Sequence, residues 1–326
     1  MIPLPLLPPA SLSRSAVRRN HLSRGTDGDL SDVWARSGTV GVLSHRGYLL
    51  VAAGRLFTVS PADVPPGGTQ IYLGIDPEGR DYIGIDLDDE GRTAVDQRLA
   101  RDRDRDAEDF LDSPSGIHVT EPTWLGLRQI ATELNDVDAG LACALVAVGN
   151  WHRTHTHSPR NGSPTEVVNG GWVRRDPGTG SEHFPRTDPA VIMAVVHTSP
   201  DGTERILLGN NAQWPEGRYS LLAGFVEPGE TLEAAVIREV WEEAGVLCES
   251  PAYMGSQPWP FPSSLMLGFT AEATSLDLRP DGAELFAARW FTRQELLAEI
   301  EAGSVAVPGE VSIAGQILSS WLTAGS

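Results

Sequence analysis

The chain has 326 residues, 40% of them hydrophobic, and a formal net charge of −19. That length exceeds one ordinary domain and predicts two, while the acidic balance argues against a general surface for polyanions. All 25 basic residues are arginine, which excludes P-loop and Schiff-base lysine chemistry.

The apolar start, Met1 to Pro9, is broken by prolines and has no basic leader. It reads as an extended arm packed on its own domain rather than a signal peptide. No apolar stretch approaches the roughly 20 residues that span a bilayer. Between Gly38 and Ile85, short strands are expected at Gly41–Leu43, Gly47–Val51 and Gln70–Ile75, parted by Gly, Pro and Asp turns. The alternating run from Arg101 to Asp106 reads as a solvated loop. From Trp124 to Trp151, Leu127, Ile130, Leu134, Ala139, Ala142 and Leu145 keep rough helical register, with a break near Asp136 or Asp138. Residues 1–150 thus read as a smaller α+β domain, and 151–187, rich in Gly, Pro and His, as a connector with little regular structure. The lone thiols Cys143 and Cys248 sit in apolar surroundings and fit buried free cysteines in a reducing cytoplasm.

Residues 188–326 read as the second domain. Buried strands are expected at Pro189–Val196 and Arg205–Gly209, then at Tyr219–Ala223, Ala252–Met254, Ser264–Thr270 and a segment ending at Phe291, with a helix opening at Thr292. Mixed strands around one central helix predict an α/β/α sandwich. That helix should run from about Thr231 to Ala244 and stop at Gly245, where a C-terminal glycine is favoured.

The segment 224–246 carries the chemistry: Gly224, Glu230, Arg238, Glu239, Glu242, Glu243 and Gly245, with aliphatic Val240 and Val246. On a helical wheel Glu239 and Glu243 share a sector of roughly 60° with Leu232 and Val236. An idle surface acid would lie opposite that apolar stripe. Crowded carboxylates repel one another, and a hard dication relieves the repulsion, since Mg²⁺ prefers carboxylate and phosphate oxygens. Arg238 can orient an acid through its planar fork. Downstream, Ser256-Gln257-Pro258-Trp259-Pro260-Phe261-Pro262-Ser263-Ser264 is a stiff, non-helical stretch of prolines and aromatics.

The first segment resembles the Nudix box in full, and the second resembles the S-Q-P-W-P-F-P-x-S signature of NADH pyrophosphatases within that superfamily. The likeness extends from Glu182 to the C-terminus. It implies a C-terminal Nudix sandwich with a mixed sheet, and metal-dependent cleavage of the diphosphate of NAD(H) to AMP and nicotinamide mononucleotide. It further implies two or three Mg²⁺ or Mn²⁺ ions on Glu239, Glu242, Glu243, Glu284 and the Ala223 carbonyl, with Arg238 and Glu230 in support. The dinucleotide would lie along Gln257, Pro258, Trp259, Pro260, Phe261, Pro262, Ser263 and Ser264. Phe184 and Phe225 would stack on its rings, with Ala314 a late contact. A homodimer is implied, and RNA only as an NAD-capped substrate. Hydrolysis of ADP-ribose or dinucleoside polyphosphates, and a non-catalytic nucleotide sensor, are the alternative readings.

One departure stands out. The family carries a zinc ribbon of paired C-x2-C knuckles ahead of the Phe184-Pro185-Arg186 segment, whereas here Ser158, Asn161 and non-cysteine residues from Asp176 to Ser181 occupy those places. His152, His155, His157 and His183 cluster nearby without knuckle spacing. A degenerate, metal-free connector is expected, without structural Zn²⁺.

Overall fold

The run Ala190–Val196 is apolar at every position because the strand Asp188–Thr198 is covered on both faces. Its side chains alternate between two cores. Val191, Met193 and Val195 pack with Ala235, Val236, Val240 and Ala244 of the helix Leu232–Ala244. Ile192, Ala194 and Val196 pack with Leu296, Ile317, Leu318 and Trp321, from the helices Arg293–Glu301 and Ile313–Thr323. Helices on both faces of one sheet make the α/β/α sandwich.

The computed structural model describes residues 4–25, 27, 29–106, 121–280 and 282–324. The chain divides into two compact units: Met1–Ser13, Thr187–Trp259 and Ser264–Ser326 form one, and Arg14–Arg186 with Pro260–Ser263 form the other. In the first, the sheet runs in the order Cys248–Trp259, Ser264–Ala273, Asp188–Thr198, Glu204–Asn211, Leu285–Phe291. The strand Leu222–Phe225 also pairs with Asp188–Thr198. The pairing of Asp188–Thr198 with Ser264–Ala273 is parallel and the other strand pairs of the sheet among the described residues are antiparallel, so the sheet is mixed. The arm at the start of the chain belongs to this unit, not to the N-terminal domain: the Leu7 amide donates to the Met254 carbonyl at 2.8 Å. Leu4 and Leu7 pack against the core below it.

Among the described residues the second unit holds a seven-stranded sheet, ordered Arg55–Leu56, Tyr48–Ala52, Val40–His45, Asp81–Asp86, Thr69–Ile75 along its main path. The helix Asp136–Thr154 starts where Asn135 accepts from the Asp138 amide. Three expectations are corrected here. Trp124 lies in the strand Thr123–Gly126, paired with Tyr48–Ala52, so the helical register begins only beyond it. The run from Arg101 to Asp106, expected as a solvated loop, continues the helix Asp89–Asp106. The connector at 151–187, expected to have little regular structure, contains three short antiparallel strands, Glu166–Val168, Val173–Arg175 and Glu182–His183.

Candidate active site

Helix Leu232–Ala244 is set by its ends. Thr231 caps it by accepting from the Ala234 amide at 3.2 Å, and Gly245 closes it at φ 69°, a left-handed turn that glycine enters without strain. Those limits fix which residues face the sheet. Glu239 and Glu243 are buried, whereas Glu242 is exposed. A carboxylate reaches this layer because Gly224, on the strand Leu222–Phe225, has no side chain: a Cβ there would lie 2.0 Å from the Glu239 carboxyl carbon. The first glycine of the motif is therefore a space made for an acid.

Arg238 is the hub of the site. Its Nη1 donates to Glu239 and to Glu242, each at 2.9 Å. Its Nη2 donates to the Phe225 carbonyl at 2.9 Å and to Glu230 at 2.5 Å, while Nε donates to the other Glu230 oxygen at 3.1 Å. Glu230 in turn accepts from the Glu227 amide at 2.7 Å and so ties the preceding turn to the helix. Hydrogen bonds from Arg238 hold the Glu230 carboxyl below its usual range. Glu239 moves the other way. Burial raises its pKa, Arg238 opposes that, and the neighbouring charges of Glu242 and Glu284 raise it further. Glu284 therefore lies close enough to Glu239 for their charges to interact. No local pattern signals that the Phe225 carbonyl takes one arm of Arg238.

The signature segment is a hairpin rather than a loop. Ser256, Gln257, Pro258 and Trp259 pair with Leu267, Met266, Leu265 and Ser264, leaving 260–263 as the tip. Pro258 is tolerated because its strand is at the sheet edge. Gln257 is fully buried and its amide is occupied at both ends: Nε2 donates to the Val311 carbonyl and Oε1 accepts from the Ile313 amide, each at 2.8 Å. Gln257 thereby fixes the start of the last helix, where Ala314 is buried. Phe225 and Phe184 are exposed rings at 59% and 65%.

Residues 188–307 match the NUDIX domain. This segment is a Nudix domain. The chain is 43% identical over 204 residues to the NAD-capped RNA hydrolase NudC of Mycobacterium bovis, a match covering 60% of this chain and 64% of that protein. It is 39% identical over 227 residues to the NAD-capped RNA hydrolase NUDT12 of Homo sapiens, covering 66% of this chain and 48% of that one. The matched region thus spans less than two thirds of either relative. Among solved structures, a NUDIX hydrolase from Nitrosomonas europaea aligns with a TM-score of 0.36 and 24% identity, over 47% of this chain and 96% of that one.

A Nudix domain implies dependence on a divalent cation. Among the described residues no three His, Cys, Asp or Glu side chains converge as a ready metal cage. At the box the reason is visible, since Arg238 bonds to both Glu239 and Glu242. The donor set still suits a hard cation, because Glu239, Glu242 and Glu284 are carboxylates whose charges oppose one another.

The zinc-ribbon positions behave differently. Asp176 is buried, and its Oδ2 accepts from Asn161 at 2.7 Å and from the Thr179 hydroxyl at 2.8 Å. Its Oδ1 accepts from the Gly178 and Thr179 amides at 2.8 and 3.3 Å. These bonds, led by Asn161, pull its pKa down to about 2. Ser158, also buried, closes the other turn by accepting at its carbonyl from the Gly162 amide. One carboxylate saturated by neutral donors does not fit Zn²⁺, which takes thiolates and imidazoles. Nor is His152 open to a metal. Its Nε2 donates to the Gly171 carbonyl at 2.8 Å and its Nδ1 accepts from Arg174 at 3.2 Å. His155 and His157 bond to the adjacent Thr154 and Thr156.

Proposed function

We propose that this protein hydrolyses the phosphoanhydride of NAD(H), releasing AMP and nicotinamide mononucleotide. The observation that carries the reading is Glu239, a buried acid admitted by Gly224 and surrounded by more carboxylates than Arg238 can neutralise. Glu239, Glu242, Glu243, Glu284 and the Ala223 carbonyl would hold Mg²⁺ or Mn²⁺, two or three per site. When bound, such ions neutralise phosphate charge and lower the pKa of a coordinated water. Arg238 keeps Glu239 and Glu242 aligned, and Glu230 anchors Arg238. A carboxylate oxygen of Glu239, Glu243 or Glu284 accepts the proton of the attacking water. Within the unit of the box, Pro258, Trp259, Ser264 and the exposed ring of Phe225 grip the dinucleotide, whose flat bases offer π-faces for stacking.

The substrate class is supported by the complete signature and by relatives named NAD-capped RNA hydrolases. By the same token, RNA enters only as an NAD-capped substrate. No helix among the described residues is long and apolar enough to cross a membrane. Cys143 and Cys248 are buried, and burial raises their thiols to about 12 and about 11; a cytoplasmic setting is part of this proposal. A homodimer completes the reading and is checked by light scattering on the purified protein. The deciding experiment is product analysis of NADH incubated with protein and Mg²⁺, with and without chelator. AMP and reduced mononucleotide, lost on chelation, are expected. Cleavage of ADP-ribose but not of NADH overturns the substrate, and tight NAD binding without turnover overturns the enzyme.

A further inference from the structure

A buried arginine normally stands beside an acid, because an unpaired cation is costly to take out of water. Among the described residues Arg174 has no such neighbour. It lies on the strand Val173–Arg175, the middle one of the three-stranded sheet, directly across from Val167 on one side and His183 on the other. The residue is only 8% exposed, yet its hydrogen bonds all go to neutral groups. Nε donates to the Thr165 hydroxyl and Nη2 to the Thr165 carbonyl, each at 2.8 Å, and Nη1 donates to His152 Nδ1 at 3.2 Å. Burial lowers the pKa of Arg174, and no carboxylate opposes the shift.

Those bonds use one hydrogen on each guanidinium nitrogen and leave one on each of the two terminal nitrogens. Arg174 also lines a cavity of about 510 Å³ inside the Arg14–Arg186 unit, a volume in the range of small-molecule sites. Three acids line the same cavity, and each is engaged elsewhere. Asp86 pairs with Arg153 and accepts from the Ser44 hydroxyl at 2.8 Å. Asp89 pairs with Arg46 at 2.8 Å and lies 3.4 Å from His45. Asp88 accepts from the Gly68 and Gly91 amides at 3.2 and 2.8 Å. None of the three bonds to Arg174, so its charge lines the cavity without a counter-ion among the described residues.

We propose that this cavity binds a small phosphate-bearing anion, held by the two spare hydrogens of Arg174 and flanked by Arg46 and Arg153. The planar fork of an arginine takes phosphate oxygens two at a time. A phosphate suits the cavity better than a carboxylate, because three arginines border the space and a carboxylate has only two oxygens to share among them. The site lies wholly within the Arg14–Arg186 unit and does not depend on the NAD(H) reading.

The test titrates inorganic phosphate by calorimetry into protein stripped of divalent cations and then dialysed free of chelator, so that the box holds no metal to bind phosphate. Wild type, Arg174→Gln and Asp88→Asn are compared. Arg174→Gln keeps a polar side chain without the charge and should weaken binding about tenfold or more. Asp88→Asn keeps an acceptor for the Gly91 amide and removes a negative charge from the lining, so it should tighten binding about twofold or more. Phosphate should raise the melting temperature of wild type and not that of Arg174→Gln. Crystals soaked in arsenate, the heavier analogue, should show an anomalous peak beside the Arg174 guanidinium. If Arg174→Gln does not fold, the gain in Asp88→Asn and the arsenate peak decide. No binding by wild type, affinity unchanged in both variants, or a peak only elsewhere overturns the site. Succinate bound as tightly as phosphate overturns the ligand class.

Discussion

Arg238 in the Nudix unit and Asp176 in the three-stranded sheet of the other unit are both charged hubs, but their partners differ in kind. Arg238 is a cation among three carboxylates, Glu230, Glu239 and Glu242, so negative charge is left over around it. Asp176 is an anion among neutral donors, an asparagine amide, a threonine hydroxyl and two backbone amides, and its oxygens are fully used. A region with surplus charge invites a dication; a saturated one has no place for it. The contrast fits the proposal above, in which the box would hold metal, whereas at the ribbon positions Asp176 is engaged by hydrogen bonds.

The widest gap between the two regions should come from Glu239→Gln, which removes charge and keeps volume. A loss in kcat of about a thousandfold is expected, with thermal melting near that of wild type. Near-normal turnover would end the metal-site reading. Gly224→Ala sharpens the point, because it leaves every charge in place and fills the space Glu239 occupies. Overpacking should cost about 1–3 kcal/mol in urea unfolding, and turnover should fall by about a hundredfold as the carboxylate is displaced. Should Gly224→Ala turn over NADH like wild type, the site of Glu239 is softer than the packing implies. Trp259→Ala tests recognition apart from chemistry: the ratio of kcat/KM for NADH to that for ADP-ribose should drop about tenfold. A parallel fall on both substrates counts against the hairpin as the source of selectivity.

Much of this was legible in the sequence, for physical reasons. The helix Leu232–Ala244 could be placed to within a residue because Thr231 and Gly245 are strong local stops. The oddity of Glu239 and Glu243 on an apolar stripe survived folding as burial. The strand Asp188–Thr198 could be read from its unbroken apolar run. What escaped depended on long-range contact. Nothing local to Gly224 says that a side chain fifteen positions on will fill its Cβ space. Gln257 read as a ligand contact, yet its amide is spent on the backbone at 311 and 313, more than fifty residues away. The Gly, Pro and His content of 151–187 predicts little regular structure, whereas Asp176 gathers a set of hydrogen bonds that no local pattern announces.

The smallest expected effects concern pH, and they fall on the saturated region. His152 is buried, and burial lowers its pKa from 6.5 to about 4, with Arg174 adding to the shift. Asp176 is lowered from 3.8 to about 2 by its hydrogen bonds. For both groups the unfolded chain takes up a proton at a higher pH than the folded one, so stability falls as pH falls. The window for His152 runs from about 6.5 down to about 4, and that for Asp176 from about 3.8 down to about 2. Melting temperature followed against pH, in protein free of added metal, should therefore decline in two steps. His152→Gln, which keeps a donor toward the Gly171 carbonyl, should flatten the first step and leave the second. Asp176→Ala should lower the melting temperature at neutral pH and erase the second step. EDTA should abolish turnover and leave this melting profile unchanged. A shift on chelation that Asp176→Ala abolishes and Glu239→Gln does not would mean that the ribbon holds a metal, and would remove the contrast between Asp176 and Arg238.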